Sequence, residues 1–129
     1  DRTISTLWGE NVKRLYGDGH FTIEEHRTGS TDMGDLGHLM PVSHPYIYGA
    51  TGVGHGADYI LEDKQSVYIN MSKLLAMTVV DLLYGDAAPA REIMDASRPK
   101  LTKDEYLAFN RDLNGQERFS ADELLAAAE

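Results

Sequence analysis

The run from Ser66 to Leu83 carries Val67, Met71, Leu74, Leu75, Val79, Val80, Leu82 and Leu83, and it constrains the fold more than any other stretch. Drawn as a helix it has apolar residues on most sides. It should therefore be largely buried, packed against a sheet, because an all-round apolar helix has no face to give to water. Asp63 is placed to cap its start and Gly85 to end it. Met71 and Met77 read as core filler. Asn70, Ser72, Lys73, Thr78 and Asp81 interrupt the run, so no segment is expected to span a membrane.

At 129 residues and 14.3 kDa, with 42% hydrophobic and 26% charged residues, the chain has the size and composition of one ordinary globular domain. A net charge of -9 and only 12 dispersed Lys and Arg residues argue against a nucleic-acid partner, since phosphate binding needs clustered positive charge. Cysteine is absent, which excludes disulfides, thiolate zinc sites and cysteine nucleophiles together. His, Asp and Glu remain as metal ligands, and these suit hard or borderline ions. No signal peptide is visible, and the expected location is cytoplasmic.

Along the chain, Ile4, Leu7, Trp8 and Leu15 form the stripe of an amphipathic helix ending at Gly17, with Glu10, Lys13 and Arg14 turned outward. Trp8 reads as a core contact. Phe21-Thr22-Ile23 alternates like a short strand. Between Thr28 and His38 the chain is dense in glycine and small polar residues, and Ser30 or Thr31 is placed to cap a helix. Two readings stay open for that stretch: a capped turn, or a helix start whose hydroxyls and N–H groups hold an anion, with Asp32 and Asp35 orienting a metal-bound histidine.

From Leu39 to Ala50 the chain reads as one extended segment, because Pro41 and Pro45 exclude helix and Val42, Tyr46, Ile47 and Tyr48 favour strand. Prolines place such a strand at an edge. His44, before Pro45, reads as structural or exposed, and its distance from His55 leaves a site role open. After Asp86 the composition shifts to alanine and charge, which marks a boundary. Pro89 suits the first turn of a helix running to about Ser97. Thr102 with Glu105, and Ser120 with Glu123, have capping-box spacing, and Asn114-Gly115 marks a turn between them. The tail is expected to be three short helices, with Asp112 and Glu117 on a solvated face.

Gly54-His55-Gly56-Ala57-Asp58-Tyr59 sets one histidine between two glycines, just before the apolar run. By spacing alone it is either a surface turn or an imidazole presented to a metal or substrate. Two motifs in order shift that balance: Gly29-Ser30-Thr31-Asp32-Met33-Gly34-Asp35 followed by Met40-Pro41, then Gly52-Val53-Gly54-His55-Gly56-Ala57-Asp58-Tyr59. Together, with Glu10-Asn11 and Leu15-Tyr16-Gly17, they resemble the C-terminal part of the zinc peptidase and aminoacylase family of amidohydrolases, nearest the aminobenzoyl-glutamate hydrolases. The likeness covers roughly residues 7 to 83 and does not reach the tail.

That resemblance implies an α/β fold: the C-terminal portion of a two-metal catalytic domain, a few strands packed on helices, over residues 1–85, followed by a helical extension over 86–129. It implies hydrolysis of an amide bond in an N-acyl or aminobenzoyl amino acid, or a dipeptide-like substrate. In the complete enzyme two divalent ions, zinc by family habit, activate a shared water. His55 matches a metal ligand; Ser30, Thr31 and Asp32 match the motif beside the substrate; Asp35 and Asp58 are candidates to accept from the other ring nitrogen of that histidine and fix its tautomer. Gly37 departs from the serine expected there. The family's other ligands precede its inserted lid domain, and none of their motifs occurs here; Glu24-Glu25 lies after that point and reads as a coincidence. Expected partners are a small-molecule amide substrate, the remainder of the catalytic and lid domains, and a second copy through the lid; no membrane or nucleic acid is expected. One imidazole cannot hold two ions, so this chain alone is expected to be inactive and to bind no metal. The alternative is a free-standing, non-catalytic binding or interaction module derived from such an enzyme.

Overall fold

A computed structural model describes residues 1–24, 29–115 and 120. It divides into two compact units, Asp1–Pro99 and Lys100–Glu129, so the break in contacts falls after Pro99, later than the compositional shift at Asp86.

The first unit opens with helix α1, Arg2–Tyr16. The Asp1 carboxylate accepts from the Ile4 N–H at 2.9 Å, which satisfies an otherwise orphaned donor, and Gly17 closes the helix as its sequence position implies. The short helix α2, Met33–Leu36, follows. Strands β1 (Ala50–Thr51) and β2 (Ile60–Leu61) then pair antiparallel, Ala50 opposite Leu61 and Thr51 opposite Ile60. A π-helical stretch, Gln65–Asn70, runs directly into helix α3, Met71–Leu83. The Asp63 carboxylate caps the start of this long helix by accepting from the Ser66 N–H at 3.0 Å. Helix α4, Ala88–Ala96, begins with Pro89 in its first turn and packs against α3.

The core lies where α1 crosses α3. Trp8, Val12 and Leu74 are buried there, flanked by Leu15, Tyr16, Phe21, Ile47 and Met71. Phe21 reaches the core by lying on Gly9, where any side chain would collide with its ring. Residues 21–23 do not form the expected strand: Ile23 is exposed, and no neighbouring strand among the described residues supplies a ladder.

Polar groups also join these helices. Asn11, with no exposed surface, donates to Thr78 Oγ1 at 3.3 Å and to Asp81 Oδ2 at 2.8 Å. Arg14 donates to Asn11 Oδ1 at 2.8 Å and bridges to Asp81 at 3.3 Å. Thr78 and Asp81, which interrupt the apolar run in sequence, are thus the residues that fix its register on α1.

The long helix is not buried as expected. Within α3 only Leu74 and Thr78 are buried, while Leu75, Val79, Val80 and Leu83 stand 49%, 51%, 58% and 60% exposed. It leans on α1 and α4 rather than on a sheet. By length and composition the 19-residue stretch Gln65–Leu83 is also apolar enough to cross a membrane, which the sequence reading had excluded.

The second unit contains α5, Lys103–Leu113. Its capping box forms as the spacing requires: Glu105 accepts from the Thr102 N–H at 2.7 Å, and Thr102 Oγ1 accepts from the Glu105 N–H at 3.3 Å. The Thr102 N–H, and after it the Thr102 hydroxyl that donates to the same carboxylate oxygen at 2.8 Å, hold the Glu105 carboxyl pKa below its ordinary value. Glu25, Glu117 and the Ser120–Glu123 helix start lie wholly or partly outside the described residues.

Candidate functional site

His55 sits at the tip of the β1–β2 hairpin, in the loop from Gly52 to Tyr59. Two turns build that loop. The Gly56 N–H donates to the Val53 carbonyl at 2.7 Å, and the Tyr59 N–H donates to the Gly56 carbonyl at 3.3 Å. His55 occupies the third position of the first turn with φ 65°, the left-handed region that favours glycine. Gly54 does not have a positive φ, so the residue under backbone strain is the histidine and not the glycine before it.

The Asp58 carboxylate folds back over this loop. Its Oδ1 accepts from the Val53 N–H at 3.4 Å, a long hydrogen bond. The same oxygen would lie 2.5 Å from a Cβ placed on Gly56. Gly52, at φ 86°, passes so close to the Asp58 carbonyl that a side chain there has no room. In this chain the hydrogen bond that the Asp58 carboxylate accepts comes from the loop backbone.

The other expected site residues lie on and around α2. Thr31 Oγ1 accepts from the Met33 N–H at 3.3 Å, a local turn just ahead of α2, but the cap position belongs to Asp32 and not to the expected Ser30 or Thr31. Asp32 stands at the cap position of that helix without a side-chain cap bond, and Asp35 lies in its first turn. Ser30, Thr31, Asp32, Asp35, His55 and Asp58 are all exposed. No cluster of three His, Asp or Glu residues able to hold a metal occurs among the described residues. Within this chain His55 and Asp58 share one loop, and the α2 residues are not gathered with them into a ligand set.

A separate cavity of about 610 Å³ opens between α1, residues 20–24 and residues 43–49. Trp8, Val12, Phe21, Ile47 and Leu74 give it apolar walls. At one end the Ser5 and Ser43 hydroxyls share a hydrogen bond at 2.9 Å. At the other, Asn70 donates to the Tyr16 hydroxyl at 2.8 Å, and that hydroxyl donates to Ser66 Oγ at 3.3 Å. Asp63 borders the same end, its carboxyl held below the usual range by the hydrogen bonds from Ser66. Sequence reasoning missed this network; its trace is the pair Ser66 and Asn70, polar residues one helical turn apart in an apolar run.

Residues 43–50 alternate strictly between half-buried and exposed, with Ser43, Pro45, Ile47 and Gly49 inward and His44, Tyr46, Tyr48 and Ala50 outward. That is the period of a strand, as the sequence predicted for this segment. Ladder pairing, however, is confined to Ala50–Thr51 among the described residues. His44 stacks on Tyr46 with ring centroids 4.9 Å apart.

Comparison with known proteins finds no matching family model, no matching curated protein and no matching solved structure.

Proposed function

We propose that this chain is the C-terminal part of a metal-dependent amidohydrolase, that His55 is one ligand of its metal site, and that the 129 residues alone are inactive. The observation that carries the reading is the state of His55: an exposed imidazole on a left-handed backbone, at a position where glycine would be relaxed. Such strain is typical of residues whose side chain, rather than whose backbone preference, determines their place. The motifs around Ser30–Asp35 and Gly52–Tyr59 supply the chemical class, cleavage of an amide in an N-acyl or aminobenzoyl amino acid.

The residues present fit one arm of a metal site and not a whole one. A catalytic zinc uses about three protein ligands, and the described residues bring no three together. No catalytic step is therefore assigned to this chain. His55 supplies a ring nitrogen, while Ser30, Thr31 and Asp32 supply hydroxyls and a carboxylate toward the substrate.

The exposed side of the long helix favours this reading over a free-standing binding module. A module that works alone should present polar residues there, whereas Leu75, Val79, Val80 and Leu83 are uncovered. The open cavity beside residues 43–49 is a further surface that the remainder of the domain would cover. Thr78 and Asp81 are engaged with Asn11 and Arg14 on α1, which supports packing within a protein and not insertion into a bilayer.

Equilibrium dialysis with zinc, together with an assay for hydrolysis of aminobenzoyl-glutamate and acyl-amino acids, tests the proposal on the purified chain. The expected result is no turnover and no tight uptake of two ions. Tight binding of two zinc ions per chain, or clear turnover, would overturn it.

A further inference from the structure

We infer that Asp58 and Gly56 are positioning residues, a brace that holds the hairpin tip closed so that its backbone keeps His55 in the left-handed conformation. The inference concerns how the loop is held; its use in a metal site rests on the function proposed above.

The turn Val53-Gly54-His55-Gly56 has the hydrogen bond and the positive third φ of a type II turn, in which the third position favours glycine. Two glycines are at hand, at 54 and 56, yet neither occupies that position. A turn with histidine there tends to open, so something outside its own preference must close it.

Asp58 is placed to do so. Its carboxylate receives the Val53 N–H, the first residue of the turn, while its backbone forms part of the second turn, which begins at Gly56. The side chain therefore ties the start of the first turn to the end of the second. Gly56 makes the closure possible, because a Cβ there would lie 2.5 Å from the Asp58 oxygen and 2.9 Å from the Val53 carbonyl. Gly52 clears the path of the Asp58 backbone on the opposite side. Asp58 thus acts on the histidine through the main chain, by the bond to Val53.

Amide hydrogen exchange in the 129-residue chain tests the brace with no metal present, so its failure is separate from failure of the ligand reading. The Gly56 N–H reports closure of the turn, and amides of the α1–α3 core report the global fold. In Asp58→Ala, Gly56 exchange should accelerate about tenfold, the size expected for loss of one net hydrogen bond, while the core amides stay protected. Asp58→Asn keeps an acceptor oxygen and should restore most of the protection. Adding His55→Gly to Asp58→Ala should restore it too, since glycine adopts the left-handed backbone unaided. Gly56→Ala should open the turn even with Asp58 intact. Unchanged Gly56 exchange in Asp58→Ala, or no recovery on adding His55→Gly, would overturn the brace.

Discussion

Asn11 and His55 are both polar residues set among neighbours that offer them little, one in an apolar seam and the other between glycines. Asn11 is fully buried, and its carboxamide meets Thr78, Asp81 and Arg14, so every polar atom that leaves water finds a partner inside. His55 is exposed and sits on a backbone that disfavours it. The seam is relaxed and self-sufficient, as a structural element must be. The tip holds strain and leaves its imidazole open to solvent, as a site awaiting further groups would. The two polar residues differ in their surroundings: Asn11 is satisfied by its neighbours, whereas the His55 imidazole faces solvent.

That contrast can be sharpened experimentally. Leu74→Ala should cost the most, about 2–5 kcal/mol in chemical denaturation, because Leu74 is 1% exposed and its removal leaves a cavity in the α1–α3 core. A smaller loss would mean the seam is looser than its geometry implies. Asn11→Ala should cost about 1–3 kcal/mol, since Asp81 and Thr78 lose a buried donor; an unchanged midpoint would remove the distinction between the two regions.

Ala87, half-buried and without a functional group, provides the control for backbone strain. Gly85, Asp86 and Ala87 take φ values of 62°, 64° and 54° in the link between α3 and α4. Ala87→Gly should therefore gain about 1 kcal/mol, by removing the penalty of a left-handed alanine. A loss on that change would show that the link is held by packing of the alanine methyl.

Acid should have the mildest effect, at the capping box of α5. The folded value of Glu105 lies below its unfolded value, so its contribution is complete above the unfolded value and disappears as pH falls through the depressed one. Amide exchange at the start of α5 should speed up over that acid range in the natural chain and respond less in Thr102→Ala.

Local signals in the sequence carried far. The stripe through Trp8, the stop at Gly17, Pro89 in the first turn of α4 and the Thr102–Glu105 box all act within a few residues, and each forms as its chemistry requires. Leu39–Ala50 carried a strand's character, and residues 43–50 keep its alternation. Two expectations that needed distant partners fared differently. Phe21–Ile23 has a strand's composition but no ladder among the described residues, and the apolar helix 65–83 has composition for burial but leaves Leu75, Val79, Val80 and Leu83 exposed while packing on α1 and α4. At the tip, the glycine-histidine-glycine spacing does not reveal that the positive φ falls on His55, because that depends on the turn closed by the Gly56 N–H and the Val53 carbonyl. The polar seam was hidden for a similar reason: Thr78 and Asp81 looked like interruptions until Asn11 stood opposite them.

The proposal that this chain is one arm of a larger hydrolase is tested most directly by isolating the protein that carries this sequence from its source, and by comparing its metal-dependent amide hydrolysis before and after His55→Ala. The expected result is a protein well above 14.3 kDa that hydrolyses aminobenzoyl- or acyl-amino acids only with a divalent ion bound, and loses that activity with His55. A protein of about 14.3 kDa, or one whose hydrolysis survives the loss of His55, would contradict it.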